Sequence, residues 1–187
     1  IIAYAAQAVP QLPITTDYGA AKMFLQALNT DMLSSQGTAI DSAIDLAVTY
    51  FDDEDQTNRV IFILSDGEDH SEEAMAAAER ANELGIKIFT FGVGTEKGGP
   101  IPIKRNGIIE SYKKDENGEV VITKRNSEVL TSIAIATKGN YSDGNDTQEV
   151  LEFVSSTLKQ MDKKEFKAKK FVSNKDRFQV FLIAEFL

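Results

Sequence analysis

The chain has 187 residues, a net charge of −9 and no cysteine. This length suits one compact domain, which buries about 70% of the surface that its unfolded chain exposes. The negative net charge disfavours binding to nucleic acids or anionic membranes, except through a local basic patch. The absence of cysteine excludes disulfides, thiolate metal sites and cysteine nucleophiles.

The first predicted elements are a β-hairpin and a helix. Residues 1–6 form an apolar candidate strand, and residues 8–14 form a second extended segment whose two prolines place it at a sheet edge. Thr15, Thr16 and Asp17 are N-cap candidates for a helix over residues 18–29. Apolar residues recur in it at helical spacing, so we expect these residues in the core: Ala20, Met23, Phe24, Ala27 and Leu28.

A second predicted helix follows a polar loop that ends at Gly37 and Thr38. Its apolar positions are Ile40, Ile44, Ala47, Val48 and Phe51. The acidic run at residues 52–55 that follows lacks the alternating carboxylates and central glycine of an EF-hand, so it is interpreted as a solvated loop rather than a calcium site.

The stretch at residues 60–70 organises the chain. The apolar run at 60–64 predicts a buried parallel strand that ends at Ser65, Asp66 and Gly67. Residues 74–84 predict a helix that ends at Gly85, and residues 86–91 predict the next strand, so together they form a βαβ unit. Ligands bind beyond the carboxyl ends of strands in such sheets, which is where Asp66 is placed.

Residues 98–125, called the insertion below, predict a β-hairpin. A glycine-rich stretch precedes them, but no helix follows it as a nucleotide-binding fingerprint requires. Two alternating segments, 107–113 and 119–124, flank a turn with the Asn-Gly pair that hairpins favour. Six basic residues are expected to be exposed there, which suggests either a contact surface or a solvated hairpin: Lys104, Arg105, Lys113, Lys114, Lys124 and Arg125.

The remaining chain predicts a helix capped by Asn126 or Ser127, an edge strand at 140–142 and a last helix over 146–161. Inward positions of the last helix are expected to be Val150, Leu151, Val154 and Leu158. We predict one domain at 1–162, followed at 163–187 by a basic linker and an apolar tail. That tail is too short to span a bilayer by itself, so it is interpreted as the possible start of a membrane anchor.

These elements predict an α/β fold, a doubly wound and mostly parallel sheet with helices on both faces. Residues 37–44, followed one helix later by 63–68, resemble two of the three parts of the metal-ion-dependent adhesion site of von Willebrand factor A domains. Residues 98–103 and the hairpin are similar to the Bat-type aerotolerance proteins, which are membrane-anchored bacterial proteins.

The resemblance implies a Mg²⁺ site completed by a carboxylate from a protein partner. Thr38 matches the family's threonine and Asp66 its aspartate, whereas its Asp-x-Ser-x-Ser turn is absent. One hydroxyl and one carboxylate are too few for octahedral Mg²⁺, so we expect weak or no metal binding by this chain even if the full-length protein binds it.

The missing turn belongs to the family's central strand, so the chain is expected to begin at the second strand as a piece of a longer protein. Unpaired strand edges inside a sheet are costly. We therefore expect the tail at 179–187, or a neighbouring chain through dimerisation or strand exchange, to fill the gap.

Three functions remain open. The first is a protein-interaction module of a membrane-anchored Bat-type protein, on the periplasmic side of the bacterial inner membrane, whose partner is another such domain or a membrane protein. The second is a metal-free assembly module. The third is a metal-assisted hydrolase using Asp66, Glu68 and Asp69, with His70 beside them. Because no nucleophile with an activating base is evident, we expect no enzyme activity, and no nucleic acid as a partner.

Overall fold

The computed structural model describes residues 1–29, 32–33, 37–51, 58–68, 73–105, 107–115 and 117–161. Predictions on residues 52–55, 69–70 and 163–187 lie outside these ranges. The described strands are β1 (Ile2–Tyr4), β2 (Ala8–Pro10), β3 (Arg59–Ser65), β4 (Ile86–Gly92), β5 (Gly99–Pro100), β6 (Pro102–Arg105), β7 (Ile108–Tyr112), β8 (Ile122–Thr123) and β9 (Tyr141–Asp143). The described helices are α1 (Tyr18–Ala27), α2 (Ile40–Val48), α3 (Glu73–Glu83), α4 (Ser127–Ala136) and α5 (Thr147–Gln160).

A parallel sheet in the order β3-β4-β9 forms the centre of the molecule. Ile61 pairs with Ile88 and Phe62 with Phe89, so the predicted βαβ unit from β3 through α3 to β4 is confirmed. The predicted α/β fold with a mostly parallel sheet is also confirmed. Gly139 must be glycine because a Cβ there would collide with the carbonyl of Ile88, which allows the chain leaving α4 to pass close to β4 before it enters β9.

One face of this sheet is covered by α2, α3 and α4. Small side chains let α3 pack closely against its neighbours, and four of its five alanines are buried: Ala74, Ala77, Ala78 and Ala81. Ile63 and Ile88 of the sheet meet Ile40, Leu130 and Ile133 of the helices in a single core cluster. On the opposite face, the rings of Phe62, Phe89, Phe91 and Phe153 pack at centroid distances of 5.6 to 6.0 Å, which fixes α5 against β4.

The predicted hairpin of β1 and β2 is present, with Ala3 opposite Val9. It forms a sheet of its own, and within the described part of the chain no strand joins it to β3. A hydrogen bond from the hydroxyl of Tyr4 to the carbonyl of Leu64 connects the two at 3.2 Å. The prediction that residues 179–187 or a neighbouring chain lie between them stays a prediction, since those residues are not described.

The insertion is present but contains two reversals instead of one. The segment at 107–113 pairs chiefly with β6, as Lys104 opposite Ile109 shows. The Asn-Gly turn then reverses the chain a second time, so that Val120 pairs with Lys114. At the base of the insertion, β8 pairs with β5. The predicted hairpin between 107–113 and 119–124 is therefore present only near its turn, because most of the first segment pairs with β6 instead.

Two of the predicted core faces are wrong. No residue of α1 or α5 is buried. Met23 is 61% exposed, Leu28 is also exposed, and Ala27 lies at the surface with them. In α5 Leu151 is 59% exposed and Leu158 is exposed too, whereas Val150 and Val154 are half-buried. Apolar spacing gives the face that a helix can bury, but burial also requires an opposing surface.

Candidate functional site

The loop after β3 places Asp66 at the carboxyl end of the parallel sheet, as predicted. Asp66 is half-buried, and its Oδ1 accepts a hydrogen bond from the N–H of Glu68 at 3.2 Å. Its own carbonyl accepts from the N–H of Asn126 at 2.7 Å, which ties this loop to the start of α4. Gly67 has a φ of 72°, and a Cβ there would press on the carbonyl of Asn126, so only glycine suits this turn.

The loop before α2 places Thr38 beside the end of β1. The N–H of Ala39 donates to the carbonyl of Ala5 at 2.7 Å, and Gly37 packs against Ala6. Because Tyr4 contacts Leu64, β1 lies between the loop of Thr38 and the end of β3. Thr38 is half-buried, and no hydrogen bond joins it to Asp66 in the described part of the chain.

These two side chains do not by themselves provide a Mg²⁺ site. Mg²⁺ requires near-octahedral oxygen coordination, and one threonine hydroxyl with one carboxylate supplies only part of it. The Oγ of Ser65 is already engaged by the N–H of Gly67 at 3.0 Å. Nor do the described residues contain any group of three or more His, Cys, Asp or Glu side chains that could hold a metal ion. The donor set of the described residues is therefore incomplete for the metal.

Glu68 has a structural contact that bears on the hydrolase alternative. Its carboxylate accepts a short hydrogen bond from the backbone N–H of Lys124, at the base of the insertion. A carboxylate engaged in this way is less available to act as a general base. Asp69 and His70, the other members of that predicted cluster, lie outside the described residues.

A largely buried arginine, which was expected to be exposed, holds the insertion against the sheet. The side chain of Arg125 is 12% exposed, and its guanidinium donates to Asp143 Oδ2 of β9 at 2.8 Å, with Glu96 at 3.7 Å. Its Nε has no partner within the described structure. The prediction that Arg125 is exposed is wrong, because it directly precedes the cap of α4 and points under the insertion rather than away from it.

The neighbours of Arg125 extend this contact into a polar network at the carboxyl ends of β4 and β9. Ser127 donates to Glu96 at 2.8 Å and lies 3.2 Å from the hydroxyl of Tyr141. The N–H of Asn145 and the guanidinium of Arg125 hold the pKa of the Asp143 carboxyl below its usual value, and the bond to Asp143 raises the pKa of Arg125. A basic residue next to a helix cap was the only sequence signal for this network.

Comparison with known proteins identifies the family. A family model for the von Willebrand factor type A (VWA) domain matches residues 1–134. The chain belongs to this family. The match extends from the hairpin through most of α4 and includes both the loop of Thr38 and the loop of Asp66. Domains of this family generally mediate protein–protein interactions.

Two solved structures resemble this VWA domain over most of its length. The conserved hypothetical protein BatB from Bacteroides thetaiotaomicron is 38% identical, with a TM-score of 0.79, over 86% of this chain and 77% of that chain. An aerotolerance-related membrane protein from Bacteroides fragilis NCTC 9343 is 35% identical, also with a TM-score of 0.79, over 86% of this chain and 78% of that one. The search of curated proteins found no match.

The name of the second relative describes a membrane protein. In the part of the present chain that the structure describes, no helix is both long and apolar enough to cross a membrane. The resemblance to Bat-type proteins that the sequence suggested is confirmed by these two structures.

Proposed function

We propose that this VWA domain is the protein-binding module of a membrane-anchored, Bat-type bacterial protein, placed on the periplasmic side of the inner membrane. The observation that carries the proposal is the position of Asp66. It lies half-buried at the carboxyl end of β3, on a loop that Asn126 holds from the side of α4. This is the edge where open α/β sheets bind their ligands, and the basic insertion projects from the same edge.

Within this proposal, Thr38 and Asp66 are part of a Mg²⁺ site that the family's Asp-x-Ser-x-Ser turn completes in the full-length protein. When bound, the metal would supply a coordination position for a partner's carboxylate. Asp66 would contribute a carboxylate oxygen and Thr38 its hydroxyl. The present chain, which lacks the third part, is expected to bind Mg²⁺ weakly or not at all.

A metal-free assembly module is the second candidate. The incomplete donor set around Asp66 favours it, since the described residues alone do not satisfy Mg²⁺. Binding rather than catalysis is proposed in both cases, because the carboxylate of Glu68 is engaged by the backbone of Lys124.

Titration with Mg²⁺ and Mn²⁺ by calorimetry tests the proposal. We would compare residues 1–187 with a version extended upstream through the strand that carries Asp-x-Ser-x-Ser in the family. Binding by the extended version alone, abolished by Asp66→Ala, is the expected result. Glu83→Ala, at an exposed carboxylate at the end of α3, is the matched control and should bind normally.

One outcome counts against the metal-dependent form, and another counts against the expectation that this chain alone binds Mg²⁺ weakly. No binding by either version would leave the metal-free module. Tight stoichiometric binding by residues 1–187 would show that this chain completes the site by itself.

A further inference from the structure

The ribbon formed by β6 and β7 exposes large apolar side chains on both of its faces. Every residue of β7 is exposed, with Ile108 at 71%. Because Ile108 and Ile109 point to opposite faces of a strand, both faces of the ribbon are apolar in part. Tyr112 of β7 and Ile103 of β6 are exposed as well. Several large apolar side chains exposed together on one projecting element indicate a candidate binding surface.

The backbone of the ribbon is open as well. Within the described chain, β6 and β7 form a two-stranded sheet, so each has one unpaired edge. An isolated two-stranded ribbon is at best marginally stable. An extended peptide that adds to such an edge gains main-chain hydrogen bonds and places alternate side chains on each face.

The charge of the insertion favours an acidic occupant. Lys and Arg outnumber Asp and Glu between residues 98 and 125, whereas the whole chain has a net charge of −9. Lys114 and Lys124 are exposed and make no ion pair within the described structure. Arg105 has only a loose contact with Glu110, at 3.8 Å. A carboxylate-bearing partner would find unused cations here in an otherwise acidic protein.

The position of the insertion favours a protein over a membrane surface. It projects from the carboxyl ends of the parallel strands, whereas α5 ends at the opposite side of the sheet. There Gln160 and Met161 line a surface depression of about 570 Å³ together with Asn58 and Lys87, at the amino ends of β3 and β4. If the apolar tail at 179–187 begins a membrane anchor, as its sequence suggests, the insertion points away from the bilayer.

From these observations we infer that the insertion binds an extended, acidic and aliphatic segment of a protein partner, added along the ribbon of β6 and β7. The partner's aliphatic side chains pack on Ile108 and Ile109, and its carboxylates pair with Lys114 and Lys124. The base of the insertion is bonded to the loop of Asp66 through Lys124 and Glu68. A segment that follows the ribbon toward this base therefore reaches the edge of the sheet proposed for the metal site.

The test uses a fluorescein-labelled peptide, acetyl-(Glu-Val)₅-amide, as the probe, with anisotropy as the readout. The measurement is made on residues 1–187 in EDTA. Saturable binding is expected, together with chemical-shift changes in the methyl groups of Ile108 and Ile109. The affinity should fall as salt is raised, since charged contacts at the surface are screened.

Two pairs of variants separate the specific contact from non-specific attraction. The double variant Lys114→Glu, Lys124→Glu should weaken binding by about tenfold or more. The control double variant Lys87→Glu, Lys159→Glu makes the same charge change away from the insertion and should bind the peptide normally. Ile108→Ser should weaken binding, and Ile135→Ser, at a position 68% exposed on α4, is its control. Folding of each variant is checked by its urea unfolding curve.

Absence of binding at millimolar peptide, or equal losses in the variants and their controls, would overturn the inference. The inference rests on the proposed binding function, but its test requires no metal. If the peptide fails to bind while the extended chain shows binding of Mg²⁺ through Asp66, the inference is wrong and the proposed function is retained.

Discussion

The sheet body and the insertion are ordered in different ways. In the body, β4 is buried along almost its entire length, with α4 on one face and Phe153 of α5 on the other. In the insertion, β7 is exposed throughout, and the order of the ribbon depends on contacts at its base, from Arg125 to Asp143 and from Lys124 to Glu68. Hydrophobic packing therefore fixes the core, whereas a few polar contacts at one end position a projecting surface that remains free to bind.

The largest expected effect comes from truncating a side chain in the body. Leu130 of α4 is fully buried in the core cluster, so Leu130→Ala should lower the free energy of unfolding by about 2 to 5 kcal/mol. Ile122→Ala, in the exposed part of the insertion, should change it by no more than about 0.5 kcal/mol. Urea unfolding measures both, and equal effects would show that the insertion is part of the cooperative core.

An intermediate effect is expected when the insertion is released from the sheet. Arg125→Met removes the contacts with Asp143 and Glu96. Because Asp143 is itself about half exposed to water, the free energy of unfolding should fall by only about 1 kcal/mol. The sharper readout is hydrogen exchange, which should accelerate in β6 and β7 while β4 stays protected.

The matched control for this release is Arg105→Met, which breaks an exposed contact 3.8 Å long and should leave exchange unchanged. Unchanged exchange in Arg125→Met would show that the other contacts at the base are sufficient to hold the insertion.

The smallest effect concerns pH. The pKa of Asp143 is lowered in the folded protein, chiefly by the N–H of Asn145 and then by Arg125. A carboxyl with a lowered folded pKa adds stability above its unfolded pKa, near 3.8, and this contribution is lost as the pH falls through the folded value. Asp143→Asn should therefore be less stable than the unmodified protein at pH 7, and the difference should shrink below pH 4.

Urea unfolding at pH 7, 4 and 3 measures this pH effect, with Glu83→Gln as a control at an exposed carboxylate without such bonds. A difference between Asp143→Asn and the unmodified protein that stays constant across this range would contradict the assignment.

Much of the fold could be predicted because its signals are local. Asn126, one of the two expected cap residues, caps α4, and α5 begins beside Asp146, where the last helix was expected to begin. The apolar runs at β3 and β4 pair in parallel as predicted. The exposure of Met23 and Leu151 could not be predicted, since the spacing of apolar residues carries no information on whether another surface faces the helix.

The candidate site could be predicted only in part. The apolar run that ends at Ser65 predicted that Asp66 lies at the edge of the sheet. The helix that begins after Thr38 predicted that Thr38 lies in a loop. The role of Arg125 depends on Asp143 and Glu96, which are distant in the sequence, so no local pattern distinguished it from the exposed lysines beside it.

The free side of β3 has a consequence for handling the protein. Within the described chain β3 pairs only with β4, and after Arg59 at its start it contains no charged residue. An apolar strand with an open edge is a template for aggregation between molecules. Concentrated samples of residues 1–187 are therefore expected to form oligomers rich in intermolecular β-structure, and a charged residue at the exposed position of Leu64 should keep them soluble.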